Sequence, residues 1–161
     1  MNVTGVPMQN AEFFQVLRYE TGQFYRTHHD QNTDPDSLAG ARLFTFFIYL
    51  HTTDGGGHTH FPRLNLTIAP IKGSALLWPN VKDEDLRATD MRTEHEAQPP
   101  TEGLKLSANL WLHNYDFRGP NVHGCDMGKR VRKRVPQRAP LQDLQLTEGD
   151  KEALEHGRFE L

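Results

Sequence analysis

His28-His29-Asp30 places an imidazole and a carboxylate two residues apart, and a third candidate ligand, His95, follows 65 residues after Asp30. On a strand, side chains two apart point to one face, so His28 and Asp30 converge while His29 turns to the other. Two imidazoles and one carboxylate on one side of a metal leave its opposite side open, the arrangement an oxygen-activating non-haem Fe(II) centre needs. Lys105 lies ten residues beyond His95 on a cleanly alternating segment. A lysine held beside such a metal can anchor the far carboxylate of 2-oxoglutarate. Each of these residues alone also suits a solvated surface; their joint order and spacing point to a site.

A second cluster competes for a metal. His58-Thr59-His60 is an H-x-H pair with His51 nearby, and three neutral imidazoles plus water make a catalytic zinc site. The same histidines also suit ordinary hydrogen bonding in a glycine-rich turn. Gly55-Gly56-Gly57 is a poor phosphate loop, since no helix start with Lys-Ser/Thr follows it.

Short strands must position these residues. Leu104, Leu106, Ala108, Leu110 and Leu112 alternate with Lys105, Ser107, Asn109, Trp111 and His113, which predicts a strand over 104–113 with one apolar and one polar face. Residues 14–19 and 24–30 flank a turn-like Glu20-Thr21-Gly22-Gln23 and read as a hairpin. Residues 43–50 (LFTFFIYL) lack a polar face and read as a central strand buried on both sides. Thr59–Phe61 reads as the strand returning from the Asp54–Gly57 turn, with further strands at 67–69 and 74–78. Residues 81–90 read as an exposed acidic loop with a helical turn. Many short strands with intervening turns, one carrying a polar inward face, predict a mainly β jelly roll or small barrel.

The 161 residues suffice for one domain with a real core. No run of about 18 apolar residues occurs, which excludes a helical membrane span, and residues 1–10 lack the layout of a secretory signal. One cysteine, Cys125, excludes an intramolecular disulfide. The net charge of −3 conceals six cations and no acid between Lys129 and Arg138, so the rest carries −9. Such a run can meet nucleic acid or an anionic membrane; being short and without aromatic interleaving, it reads here as a solvated tail, and no nucleic-acid partner is expected. The expected organisation is a domain over 1–118 and a basic tail over 119–161, with a candidate short helix at 147–157.

These segments resemble the catalytic domain of the prolyl 4-hydroxylases, Fe(II)/2-oxoglutarate dioxygenases of the procollagen-proline type and their plant and algal relatives. VLRYETGQFYRTHHD is similar to the family's L-x-Y-x-x-G-Q-x-Y-x-x-H-x-D, RLFTFFIYLHTTDGGGHTHFP to its R-x-x-T-x-x-x-Y-L … G-G-x-T-x-F-P, KGSALLWPN to K-G-x-A-L-x-F, and HEAQPPTEGLKLSANLWLH to H-x-G-x-P-V-x-x-G-x-K-x-x-x-x-x-W. The resemblance implies a double-stranded β-helix binding iron through His28, Asp30 and His95. It implies that Lys105 takes the C5 carboxylate of 2-oxoglutarate with help from Tyr19 and Thr59. Tyr25, Arg42 and Trp111 match positions lining the peptide groove or supporting the site. It further implies O2 as co-reactant, a proline-containing peptide as substrate, succinate and CO2 as products, and ascorbate as the reductant that rescues oxidised iron. Family members often work in the secretory pathway.

The chain departs from the pattern at His58 (usually Glu), at Ala97 and Pro100 after the distal histidine, and at Leu106 and Asn109. The family's domain also begins earlier, with helices that brace the barrel. A partial domain is therefore expected, with an apolar face of strand 43–50 under-covered and poor stability in isolation. Two rival readings are a zinc enzyme built on His51, His58 and His60, and a non-catalytic relative that keeps the site residues.

Overall fold

In a computed structural model, residues 3–127 are described, and the chain is built from two facing antiparallel sheets. Its strands are β1 (Gln15–Tyr19), β2 (Tyr25–His28), β3 (Arg42–Tyr49), β4 (Gly55–Gly56), β5 (Thr59–Phe61), β6 (Leu66–Ile68), β7 (Ala75–Pro79), β8 (Val81–Lys82), β9 (Asp85–Thr89), β10 (His95–Ala97), β11 (Pro100–Glu102) and β12 (Lys105–His113). One sheet runs β1-β12-β3-β7 and the other β2-β10-β5-β6, with β4–β11 and β8–β9 as two-stranded additions. Apart from the β5–β6 pair, successive strands of the two main sheets alternate between them, which is the path of a double-stranded β-helix, as expected.

Pairing departs from the local reading in three places. Strands β1 and β2 are not a hairpin: β1 pairs with β12 and β2 with β10, in opposite sheets. The turn at 20–23 carries the chain across the sandwich, so β1 finds its partner about 90 residues away in sequence and β2 about 70. Likewise β5 pairs with β10 and β6 rather than returning along β3. Residues 81–90 contain the hairpin β8–β9, and the helical turn falls just after it, at Met91–Thr93.

Strand β3 is central, between β12 and β7, but only one of its faces is buried. Thr45, Phe47 and Tyr49 point into the sandwich and are buried, whereas Phe44, Phe46 and Ile48 point outward and are half-buried. On that outer face the neighbouring Val16 and Leu77 are exposed. The aromatic run thus fills the interior with alternate residues and leaves an apolar outer surface. Inside, Phe47, Tyr49, Phe61 and Trp78 form one cluster, with Leu17, Ile68 and Leu76 packed against it. Each fully buried ring of this kind contributes roughly 1.5–3 kcal/mol relative to exposure.

The glycine turn is tied down by its own backbone. Gly56 has φ +67°, and a Cβ there would lie 2.6 Å from the Pro99 carbonyl oxygen; only glycine fits where β4 meets β11. Beyond residue 118, the expected domain edge, helix α1 (Arg118–Val122) is held against the N-terminal segment. Arg118 Nε donates to Ala11 O at 3.0 Å, and Phe117 stacks on His113. The basic run 129–138 and the candidate helix 147–157 lie outside the described residues. Among the described residues no helix is long and apolar enough to cross a membrane.

Candidate metal centre and its cavity

Strands β2 and β10 pair with His28 opposite His95, and Asp30 follows two residues after His28. One donor atom from each of the three residues lies within 4.8 Å of the others, and among the described residues this is the group so placed. His28 Nε2 is 3.6 Å from Asp30 Oδ1, and His95 Nε2 is 3.8 Å from Asp30 Oδ2. Hydrogen bonds determine which nitrogen of each ring faces the centre. His28 Nδ1 is 2.8 Å from Arg26 O, and His95 Nδ1 is 3.0 Å from Thr93 O. A carbonyl only accepts, so both Nδ1 atoms carry the proton and both Nε2 lone pairs turn to the shared point. Burial pushes the His95 pKa down, against the pull of Asp30, which keeps the ring in the neutral form a metal binds.

Asp30 is held from behind. Thr45 Oγ1 donates to Asp30 Oδ2 at 2.7 Å, and Asn80 Nδ2 donates to Thr45 Oγ1 at 2.9 Å. Thr45 and Asn80 are wholly buried, so this relay is sheltered from water and fixes the carboxylate before any cation arrives. Thr45→Val is expected to weaken metal binding roughly ten- to hundredfold, the usual effect of removing a partner of a metal ligand. Isothermal titration of the apo protein with Co(II) would check it; unchanged affinity would show the relay to be dispensable.

A cavity of about 590 Å³ joins this centre to the inward face of β12. Lys105 sits in it with no exposed surface, and among the described residues its Nζ has no hydrogen-bond partner. The rings of Tyr19, Phe47 and Tyr49 lie 5.7, 5.8 and 6.0 Å from Nζ. Burial pushes the Lys105 pKa down to about 8. Tyr49 Oη donates to Thr59 Oγ1 at 2.7 Å, and burial raises the Tyr49 pKa to about 12 and also raises that of Tyr19. A buried cation facing aromatic rings, without a hydrogen-bond partner among the described residues, is an anion socket, since an uncompensated buried charge is costly.

The mouth is aromatic and charged. Tyr25, half exposed, lies against His28 with ring centroids 4.0 Å apart. The Arg42 guanidinium lies 3.9 Å from the centroid of Trp111, whose buried Nε1 has no partner among the described residues. Arg42 Nε donates to Glu12 Oε1 at 2.7 Å, and its Nη1 reaches Asn32 Oδ1 at 2.7 Å and Asp30 O at 3.3 Å. The same Glu12 oxygen is 2.7 Å from His113 Nε2. Burial pushes the Glu12 pKa up, but the bonds from His113 and Arg42 outweigh it and hold the carboxyl below its usual value.

Every residue singled out for the first site in the sequence thus faces one cavity: His28, Asp30, His95, Lys105, Tyr19, Thr59, Tyr25, Arg42 and Trp111 all line it. The rival histidines do not converge. His60 Nδ1 bonds Thr67 Oγ1 at 2.8 Å on the outer side of its sheet, and His51 is exposed in the turn after β3. Sequence reasoning missed Thr45, Asn80, Tyr49, Glu12 and His113. Thr45 and Tyr49 fall on letters of the matched family pattern, and His113 on the polar face read for 104–113, but nothing in the sequence assigned them these contacts; Asn80 and Glu12 are linked to the site only through distant pairings.

The pattern matches a known class of enzymes. The chain belongs to the 2OG-Fe(II) oxygenase superfamily, whose family model matches residues 14–113; the class implies Fe(II) and 2-oxoglutarate. Among curated proteins it is similar to a putative prolyl 4-hydroxylase of Acanthamoeba polyphaga mimivirus, 35% identical over 119 residues, covering 70% of this chain and 49% of the relative. It is 37% identical to human prolyl 4-hydroxylase subunit alpha-3 over 117 residues, covering 68% of this chain and 21% of that one. Among solved structures, it resembles the viral collagen prolyl hydroxylase of Paramecium bursaria Chlorella virus-1 in its 2OG complex. The TM-score is 0.57 and the identity 35%, covering 65% of this chain and 59% of the other. The chain spans about half the length, or less, of these curated relatives.

Proposed function

We propose that this chain is the catalytic core of an Fe(II)- and 2-oxoglutarate-dependent dioxygenase that hydroxylates peptidyl proline. The carrying observation is the pairing, in one cavity, of the His28–Asp30–His95 donor set with the buried, unpartnered ammonium of Lys105. The donor set fits Fe(II), with neutral imidazoles and one carboxylate leaving an open side. The ammonium fits the C5 carboxylate of 2-oxoglutarate, with the Tyr19, Tyr49 and Thr59 hydroxyls as further partners. When bound, iron and 2-oxoglutarate together supply the oxidising chemistry: O2 is consumed, succinate and CO2 are released, and one oxygen atom enters a substrate C–H bond.

The chain's own residues bind, orient and exclude water. Phe47 and Trp78 line the cavity with apolar rings, and Trp78 and, behind it, Phe61 lie against His95. Arg42 is neutralised by Glu12 and held over the Trp111 ring, so the groove keeps a rigid face beside the metal position. Tyr25 and Trp111 give that groove the aromatic surfaces on which an extended, proline-containing PPII segment docks. The similarity to prolyl 4-hydroxylases supports proline over other side chains. Ascorbate is the reductant we assign for sustaining turnover, on the family resemblance.

The test is incubation with Fe(II), 2-oxoglutarate, ascorbate and proline-rich peptides, followed by mass spectrometry and succinate assay. A gain of one oxygen atom on proline, with one succinate per hydroxylation, is expected. Hydroxylation of a different residue type would overturn the substrate assignment. Absence of both iron and 2-oxoglutarate binding would overturn the whole reading.

A further inference from the structure

His29, which the strand parity turned away from the metal position, is the one histidine of the HHD segment with no part in the donor set. Its ring nevertheless has defined partners on both nitrogens. Gln31 N–H donates to His29 Nδ1 at 2.9 Å, so Nδ1 is the acceptor and the ring proton sits on Nε2. His29 Nε2 is 2.8 Å from Asp90 O, which only accepts, and 3.3 Å from Thr93 Oγ1. One nitrogen thus serves the turn that carries Asp30, and the other reaches a segment 61 residues away in sequence.

That segment is the helical turn Met91–Thr93, which leads directly into His95. It is anchored at Asp90, whose N–H donates to Asn80 O at 3.0 Å and whose buried carboxylate accepts from Arg92 N at 3.1 Å. Thr93 N–H and Oγ1 both donate to Asp90 O, and Thr93 O accepts a hydrogen bond from His95 Nδ1. The β-ladder itself ties β2 to β10 only at His28–His95 and, past an irregularity, at Tyr25–Ala97. Beyond His28 the two chains have no ladder pairing, and the His29 ring spans the gap on that side.

We propose that His29 is a positioning residue that cross-links the segment bearing His28 and Asp30 to the turn bearing His95, thereby setting the separation of the metal donors. This rests on the reading of His28, Asp30 and His95 as metal ligands. A side chain that kept only the local bond from Gln31 would not hold the two segments together, whereas one that reached Asp90 would.

Asparagine and glutamine separate those two roles. In His29→Asn the amide oxygen replaces Nδ1 but the side chain stops short of Asp90; in His29→Gln the terminal amide N–H can reach the Asp90 carbonyl. Apo wild type, His28→Ala, H29N, H29Q and Thr93→Val would be titrated with Co(II) by calorimetry and by visible absorption of the bound ion, with each melting temperature recorded. Wild type is expected to bind one ion and His28→Ala to lose it. H29N is expected to bind roughly ten- to hundredfold more weakly with an altered Co(II) spectrum, H29Q to recover most of the affinity, and Thr93→Val to fall between. H29N within about twofold of wild type would overturn the cross-link, as would equal weakening in H29N and H29Q; should H29N fail to fold, binding by H29Q roughly tenfold or more weaker than wild type would do so. Retention of the ion by His28→Ala would instead refute the metal assignment itself.

Discussion

Replacing Lys105 by Ala is expected to raise the 2-oxoglutarate concentration needed for half-saturation by roughly thirty- to several-thousandfold, leaving Co(II) affinity little changed. The ammonium is fully buried and has no partner among the described residues, so a bound carboxylate would be its counter-charge. Removing one member of a buried, hydrogen-bonded charge pair costs about 2–5 kcal/mol, and each 1.4 kcal/mol is about tenfold. Burial lowers the Lys105 pKa from 10.5 to about 8, which predicts a pH dependence. Below pH 8 the site is already charged; above it, binding must first recruit a proton, so cosubstrate affinity falls by about tenfold per pH unit.

The same shift predicts stability with the opposite partner. In the apo protein the unfolded chain holds more protons than the folded one between pH 8 and 10.5, so this group's contribution to stability rises with pH across that window. Lys105→Met should therefore raise the apo melting temperature at pH 7, with a gain that shrinks toward pH 10. Calorimetry of the two proteins across that range, with 2-oxoglutarate titrations alongside, would check both effects. A cosubstrate affinity indifferent to Lys105 would remove the anion-socket assignment.

Asp30→Ala is expected to abolish stoichiometric metal binding and, with it, all 2-oxoglutarate turnover. Asp30 supplies the one carboxylate of the donor set and stands between the two imidazoles, 3.6 Å from one and 3.8 Å from the other. Its loss removes the charge that offsets a divalent cation, and leaves the Thr45 hydroxyl only the longer contact to Asn80 Oδ1 at 3.3 Å. The effect should exceed the roughly ten- to hundredfold loss that follows removal of an outer partner. His60→Ala, on the outer side of the sheet, is the matched control and should leave one bound ion per chain. If His60→Ala lost the ion and Asp30→Ala kept it, the metal would lie in the other histidine cluster.

Much of this site is determined locally. The parity of a strand put His28 and Asp30 on one face, and the same parity put Lys105 and Trp111 on one face of β12, because side chains alternate whatever the strand pairs with. For β12 those facts need only φ and ψ near extended values and hold in the structure; β2 ends at His28, and Asp30 lies past it in a bend, so its approach to His28 also depends on the turn that follows. The alternation in β3 is hidden by composition: with Phe, Ile and Leu on both faces, its buried residues Thr45, Phe47 and Tyr49 are distinguished only once a sheet lies on one side.

What tertiary structure alone decided is which strands meet. The turn at 20–23 is compatible with a hairpin, yet β1 and β2 each gain a better-packed partner in a different sheet, and burial of the shared core outweighs local closure. That choice brings His95 opposite His28, and the Asn80–Thr45 relay behind Asp30. It also draws Glu12 and His113, 101 residues apart, to the same Arg42, and stretches His29 across to Asp90. None of these pairings leaves a periodic trace in the sequence. A hydrogen bond between segments sixty to a hundred residues apart depends on register, and register is fixed by how two buried faces interlock rather than by either strand alone.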